Sequence, residues 1–434
     1  MRVRFPLFGL VIPLSAVLAG CAGDAAEAGV QAEAGVEAEL ACDPDDGGLQ
    51  LPEGFCALVV ADDLGQPRHM AVAPNGDVYV AIRGGRGSGG SAVALRDTTG
   101  DGVADMRVTF DDRGGTGIEL WNGWVYVGRD DGIVRYRRPD GQLAPEGEPE
   151  RIVYGLRSDG GHAAKPVEIT GDGTLFVNIG SPSNSCQEQD RETESPGKDP
   201  CEEREENAVI WRFSATTPDQ TLADGARFAA GMRNTVALEL NPLDGELYAA
   251  IHGRDQLHQN WGDLYTEEQS AELPAEEFVR VREGDDYGWP YCYYDQRQGA
   301  KVLAPEYGGT GEEIGRCADM ADPLVGFPGH WAPNDLAFYD GASFPERYRG
   351  GAFIAFHGSW NRAPLPQQGA NVVFLPRTGA GFASEWEVFA EGTGDWAQNR
   401  DHRPTGVAVG PDGSLYISDD AGGTIWRVLY RPAS

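Results

Sequence analysis

Six times between Leu51 and Val428 the chain repeats one phrase: a short apolar strand, a turn built on Asn-Gly, Asp-Gly or Pro-Asp-Gly, and a second apolar strand. The copies are His69-Met-Ala-Val-Ala-Pro-Asn-Gly-Asp-Val-Tyr-Val-Ala81, the looser Gly117 to Gly128, Pro166 to Asn178, Val236 to Ala249, Asn334 to Ala355 with a stretched turn, and Thr405 to Ser418. Gly423 to Val428 follows the last copy as a further strand of the same unit. A small sheet that is apolar on both faces must be stacked between neighbours, and a closed ring gives every sheet two. The repeat therefore predicts an all-β, six-bladed β-propeller of four-stranded blades. An open sandwich would not explain why one inner-strand, turn, second-strand phrase returns so often. The 60 Gly and 28 Pro among 434 residues agree with many turns and short strands.

The formal charge of -33, from 35 Lys plus Arg against 68 Asp plus Glu, repels phosphate backbones and argues against nucleic acid as a partner. At the N-terminus, Arg2 and Arg4 precede the apolar stretch Phe5 to Leu18, which reads as an export signal too short to span a bilayer comfortably. Leu18-Ala19-Gly20-Cys21 resembles a bacterial lipobox. The expectations are a signal peptide at 1–20, lipidation of Cys21, a flexible Ala/Glu/Gly tether at 21–41 and the propeller at 42–434, facing the periplasm or the cell surface with the lipid as its only membrane contact. Six cysteines remain, and proximity in sequence favours Cys42–Cys56, Cys186–Cys201 and Cys292–Cys317 among the 15 connectivities open to six thiols. No C-x-x-C or C-x-x-C-H pattern is present, so this chain carries no motif for a thiol redox centre or covalent haem.

Gly231-Met-Arg-Asn234, His252-Gly-Arg-Asp255, Asp286-Tyr-Gly-Trp-Pro-Tyr-Cys292, Phe356-His-Gly-Ser-Trp-Asn-Arg362 and Arg403-Pro-Thr-Gly-Val-Ala408 occur in that order. Together they resemble the L-sorbosone dehydrogenase and pyranose dehydrogenase group of pyrroloquinoline quinone (PQQ) propellers, relatives of soluble quinoprotein glucose dehydrogenase. The resemblance implies a PQQ- and calcium-dependent oxidoreductase acting on sugars, sugar alcohols or sugar aldehydes and passing electrons to an external quinone or cytochrome. His162, just ahead of the third copy, corresponds to the family's general base, and histidine titrates where a sugar hydroxyl proton can be taken near neutrality. Arg233 corresponds to the cation that stabilises charge on the reduced quinone, with Asn234 as a second directed donor. Three carboxylates on PQQ call for further cations, for which Lys165, Arg362 and Arg403 are the candidates. By the same resemblance the carbonyls of Gly253 and Arg254 face the cofactor-linked calcium, with Asp255 nearby.

Asp97-Thr-Thr-Gly-Asp-Gly-Val-Ala-Asp105 sets Asp97, Asp101 and Asp105 at EF-hand-like spacing with Gly102 sixth, but Val108 stands where the bidentate Glu belongs, so a second calcium and a plain Asp-Gly turn are both open. Gly85 to Gly90 matches a dinucleotide fingerprint without a following helix, which argues against NAD. Where glucose dehydrogenase supports its histidine with an aspartate, this chain has Gly180-Ser-Pro-Ser-Asn184, leaving Ser181 or Asn184 to orient His162. The rival readings are a calcium-dependent lactonase-type hydrolase and a non-catalytic carbohydrate-binding propeller.

Overall fold

The computed structural model describes residues 40–84, 89–379, 381–393 and 401–432. The expected signal peptide, Cys21, the tether up to residue 39 and residues 85–88 of the glycine-rich run lie outside these. The expected six-bladed propeller is what the chain forms. Six antiparallel sheets are wound in sequence order. Blade 1 runs through Pro67–Val72, Val78–Ile82, Ser91–Arg96 and Met106–Asp111; blade 2 through Gly117–Trp121, Trp124–Arg129, Gly132–Arg137 and Glu146–Tyr154. Blade 3 holds Val167–Ile169, Thr174–Ile179, Val209–Ser214 and Ala226–Ala230; blade 4 holds Ala237–Leu240, Leu247–Ile251, Glu276–Val281 and Val325–Phe327. Blade 5 is Pro333–Phe338, Ala352–Phe356, Asn371–Leu375 and Glu387–Gly392, and blade 6 begins with Pro404–Val409, Leu415–Asp419 and Thr424–Tyr430.

Each copy of the repeated phrase supplies the first two strands of one blade. The first strands neighbour one another around the ring, blade 6 against blade 1 included. Second strands are covered on both faces, and three of them, Val78–Ile82, Leu247–Ile251 and Ala352–Phe356, read as unbroken apolar runs with every residue buried. The turns between them need the left-handed backbone: Gly76 has φ +88° with open space where a Cβ would stand, so its conformation and not crowding selects glycine.

The repeat does not by itself disclose how the ring closes. The fourth strand of blade 6 is Phe55–Ala61, which pairs antiparallel with Thr424–Tyr430 from Phe55↔Tyr430 through Ala57↔Val428. Just before it, Leu49–Gln50 adds to the outer edge of blade 5. Phe55 drives into an aromatic cluster between these blades, edge-on to Phe344 at 4.8 Å and to Phe389 at 5.0 Å. Cys42–Cys56 staples the approach to this strand, and the other two disulfides are Cys186–Cys201 and Cys292–Cys317, the pairing that sequence proximity favours.

Inside the ring, equivalent positions of the first strands differ sharply. Opposite an aromatic residue of the second strand, blades 2, 3 and 4 carry Glu119, Glu168 and Glu239, whereas blades 1, 5 and 6 carry Ala71, Ala337 and Ala408. Burial pushes the Glu119 carboxyl up to about 8. Burial and then mutual repulsion raise Glu168, and burial followed by neighbouring carboxylates raises Glu239. A carboxyl raised above its unfolded value stabilises the fold while protonated, and that contribution is lost as pH rises through the folded pKa. Histidines lowered by burial, such as His162 and His252, act in the opposite sense only below their ordinary value of 6.5. Between about pH 6.5 and 7.5 denaturant-measured stability is therefore expected to fall with a slope from Glu119 that approaches, and does not exceed, the one-proton limit of about 1.4 kcal/mol per pH unit. Glu119→Gln should flatten that slope, and an unchanged slope contradicts the assignment.

Candidate active site

In an antiparallel blade the start of the first strand and the end of the second lie at the same rim. Every site residue singled out from the resemblance flanks such a position, unlike the Asp97–Asp105 loop read from its spacing: His162 and Lys165 precede Val167–Ile169, Arg233 and Asn234 precede Ala237–Leu240, and Gly253 to Asp255 follow Leu247–Ile251. Arg362 follows Ala352–Phe356, and Arg403 precedes Pro404–Val409. The topology thus gathers loops distant in sequence at one mouth of the channel.

The centre of this mouth is a charge pair. Arg233, buried, donates from Nη2 to Asp255 at 2.9 Å and to Asn184 Oδ1 at 3.0 Å, from Nη1 to the Gly253 carbonyl at 2.8 Å and from Nε to the Asn184 carbonyl at 3.2 Å. Asp255 also accepts from Arg191 at 3.1 Å and Asn361 Nδ2 at 2.8 Å, with His330 Nδ1 3.6 Å away. Burial alone would raise the Asp255 carboxyl, but Arg233 and His330 outweigh it and hold the group well below the usual range. Asn184 closes the knot, its side chain bonded to both the Asp255 N–H and carbonyl.

His162 Nδ1 lies 2.8 Å from the Ser181 carbonyl and 3.1 Å from its hydroxyl, so Ser181, one of two residues left to orient the ring, does so. Burial and then the Arg233 cation push His162 down to about 3, which leaves the imidazole neutral at ordinary pH. Gly180 permits the approach: a Cβ there would stand 2.7 Å from the His162 Cβ and 2.9 Å from Asn234 Oδ1.

On the opposite side, Asp420 accepts from Arg68 at 2.6 Å and pairs with His357 at 2.9 Å, while Arg403 Nε donates to the His357 carbonyl at 2.9 Å. Two of the expected cofactor cations are placed differently. The Lys165 ammonium is wholly buried and donates to the carbonyls of Arg157 and Ala163, and Arg362 is sealed against the Ala271 carbonyl, the Pro366 carbonyl and Glu272. Both tie loops to the scaffold because a buried cation must be met by oxygen on its donors. Arg254 turns its guanidinium away to a buried pair with Glu306, Nη1 alone meeting both carboxylate oxygens, and leaves its backbone at the mouth. In the loop Asp97 to Asp105, the Asp97 carboxylate caps the N–H groups of Thr99, Gly100 and Gly102, Asp101 caps Val103, and Asp105 holds Thr98.

The acidic insertion Cys186 to Glu206 walls the site. Arg191 reaches both Asp255 and Gln256, and Asp190 accepts the Asn184 N–H. Arg68, Arg191, His330, His357, Glu276 and Asp420 are further residues of the mouth. A backbone signal accompanies them: Arg191, Gln256, His330 and Ala332 all have positive φ without being glycine, and such strain concentrates at functional sites. His330 and the pair His357 with Asp420 also sit at the same strand flanks as His162 and Asp255, which is the rule that could have found them.

A family model described as TrAA12-like matches residues 49–431. The chain belongs to the TrAA12-like family. Among solved structures, the holo PQQ domain of pyranose dehydrogenase from Coprinopsis cinerea superposes with TM-score 0.71 at 18% identity, covering 88% of this chain and 97% of that one. The calcium structure of a family AA12 carbohydrate-active enzyme from Trichoderma reesei superposes with TM-score 0.70 at 18% identity, covering 91% and 99%. These likenesses establish the shared propeller. An uncharacterised protein of Borreliella burgdorferi is 22% identical over 88% of this chain and 91% of its own length, and a PQQ-dependent sugar dehydrogenase of Hypocrea jecorina is 24% identical over 35% and 36%. In this TrAA12-like chain the Arg233–Asp255 pair is the interaction on which the mouth is built. Asp255→Asn leaves the buried Arg233 guanidinium without its carboxylate, and breaking a buried pair from one side costs about 3–5 kcal/mol. Denaturant unfolding should show a loss of that order, and a change within measurement error contradicts the role of the pair.

Proposed function

We propose that this chain oxidises a sugar hydroxyl, hemiacetal or hydrated sugar aldehyde, with PQQ and calcium held at the channel mouth. The observation that carries the reading is His162: neutral, oriented through Nδ1, and with no hydrogen-bond partner for Nε2 among the described residues, next to an arginine fixed by a carboxylate. The surroundings leave polar atoms unmet: Asn234 Oδ1, Asn361 Oδ1 and Arg68 Nε are buried without a partner among the described residues, the amide oxygens suited to a donor, water or cation and the Arg68 nitrogen to an anionic oxygen. Arg233, Asn234 and Arg403 would hold the PQQ, joined by Arg68. The carbonyls of Gly253 and Arg254 with the Asp255 carboxylate would hold the calcium, since among the described residues the Gly253 oxygen accepts only Arg233 Nη1 and keeps a second lone pair.

When bound, PQQ supplies the electron sink that a protein side chain cannot provide. The chain's own part is to take the hydroxyl proton at His162 Nε2, to keep Arg233 immobile as a cation, and to surround both with loops that limit water. The same reading includes export, a lipid anchor at Cys21 with residues 21–41 as tether, and delivery of electrons to an external quinone or cytochrome.

A soluble form beginning after Cys21, supplied with PQQ and calcium, should reduce a dye in the presence of sugars or sugar aldehydes and do so only with both additions. His162→Ala should lower the rate by about 10²–10⁴-fold while PQQ still binds. A folded protein that binds no PQQ, or a variant that keeps full activity, contradicts the proposal.

A further inference from the structure

The His162 ring is held by a backbone carbonyl, and among the described residues no carboxylate hydrogen-bonds its Nδ1. A carbonyl can only accept, so Nδ1 carries the proton and Nε2 keeps the lone pair. The Ser181 hydroxyl gives its own proton to the Ser183 carbonyl at 2.7 Å, which leaves it too an acceptor toward Nδ1. The tautomer of the base therefore depends on where one peptide carbonyl is placed.

That placement falls to Arg157, a residue outside every motif named above. Its Nη2 lies 3.1 Å from the carbonyl of His162, 3.0 Å from that of Gly180 and 3.1 Å from that of Ser181. Nε donates to Asn207 Oδ1 at 3.1 Å, and Nη1 to the Asp159 carbonyl. The carbonyl of Arg157 is itself held by Lys165 Nζ at 2.9 Å, and the same ammonium holds Ala163 at 2.6 Å. Two cations in series thus join the loop that bears His162 to the strand end that orients it. Around the ring the charged and titratable groups are Arg233, Asp255 and His252 on the channel side, with Arg157 behind the Ser181 carbonyl.

We propose that Arg157 is the positioning residue of the base: by gathering the carbonyls of His162, Gly180 and Ser181 on one guanidinium nitrogen it fixes the orientation and the Nδ1–H tautomer of His162, with Lys165 as its backbone anchor. The proposal deepens the reading of His162 as base and rests on it for its kinetic consequence, though not for its structural one. It gives the buried Lys165 ammonium a function. It also explains how a histidine can be aimed without a carboxylate. The planar fork of Arg157 sends Nη2 to the three carbonyls while Nε and Nη1 hold Asn207 and Asp159, a spread of five acceptors that the three hydrogens of one ammonium cannot cover.

The test uses the soluble chain with 15N-labelled histidine, the His162 imidazole signals being assigned by their loss in His162→Gln. In the wild type the Nδ1–H tautomer should dominate. Arg157→Gln should give a mixture of tautomers and lower kcat about 100-fold, the scale of a misplacement near 1 Å, with KM and PQQ affinity within about twofold. Arg157→Lys, which restores the charge without the fork, should recover only part of both losses, whereas full recovery would overturn the fork argument. Should Arg157→Gln not fold, Asn207→Ala loosens the guanidinium at Nε alone and should move the tautomer signals in the same direction by less. Unchanged tautomer signals in whichever variant folds overturn the proposal. A shifted tautomer in a protein that oxidises no sugar supports the positioning role and instead sinks the function proposed for the site.

Discussion

The structure depends on closing the ring. Five blades are complete in their own stretch of chain, but the sixth takes its outer strand from Phe55–Ala61, paired with Thr424–Tyr430 across nearly the full length of the sequence. Until that ladder forms, the first strand of blade 6 has no fixed place beside the first strand of blade 1. The backbone pairing is reinforced by apolar burial of Phe55, which meets Phe344, Tyr348, Phe389 and Tyr430. It is reinforced again covalently by Cys42–Cys56 and by the Asp43 and Asp46 carboxylates that accept the N–H groups of Val59 and Ala57.

Closure has a chemical consequence because antiparallel blades return their chain to the same rim. His162, Arg233, Asp255, His330, His357 and Asp420 come from blades 3, 4, 5 and 6, yet all sit where a first strand begins or a second strand ends. Within that rim one carboxylate organises the cations. Asp255 fixes Arg233, receives Arg191 from the disulfide-stapled insertion and draws in Asn361, so three separate loops meet on its two oxygens. His162 shares no hydrogen bond with Asp255: its Nδ1 turns back to Ser181, whose own N–H donates to the Arg233 carbonyl at 2.7 Å, and its Nε2 has no partner among the described residues.

Much of this was legible in the sequence because it follows from period and spacing. Six copies of one phrase specify six blades, and a residue just before or after a copy stands at the mouth; His162, Arg233 and Asp255 are named through the resemblance to the PQQ propellers, and the spacing of the copies agrees in placing them there. What could not be read depends on contacts between segments that share no pattern. Phe55–Ala61 looks like any other apolar strand, and nothing local marks it as belonging to blade 6. Lys165 and Arg362 sit at the right spacing to face a cofactor, but only packing reveals that their charged ends are enclosed by carbonyls. Arg157 carries no motif and acts through backbone oxygens, which a sequence does not display. Glu119, Glu168 and Glu239 are a different case: the same residue recurs at the same point of three successive copies, flanked by apolar neighbours, and that repetition was available to be noticed.

A crystal structure of the chain with PQQ and calcium tests the central claim most directly. The account predicts the quinone at the channel mouth within hydrogen-bonding distance of Arg233 and Asn234, calcium on the carbonyls of Gly253 and Arg254, and His162 Nε2 facing the space left for substrate. Occupancy at another surface, or a mouth in which His162 Nε2 faces away from the bound cofactor, would contradict it.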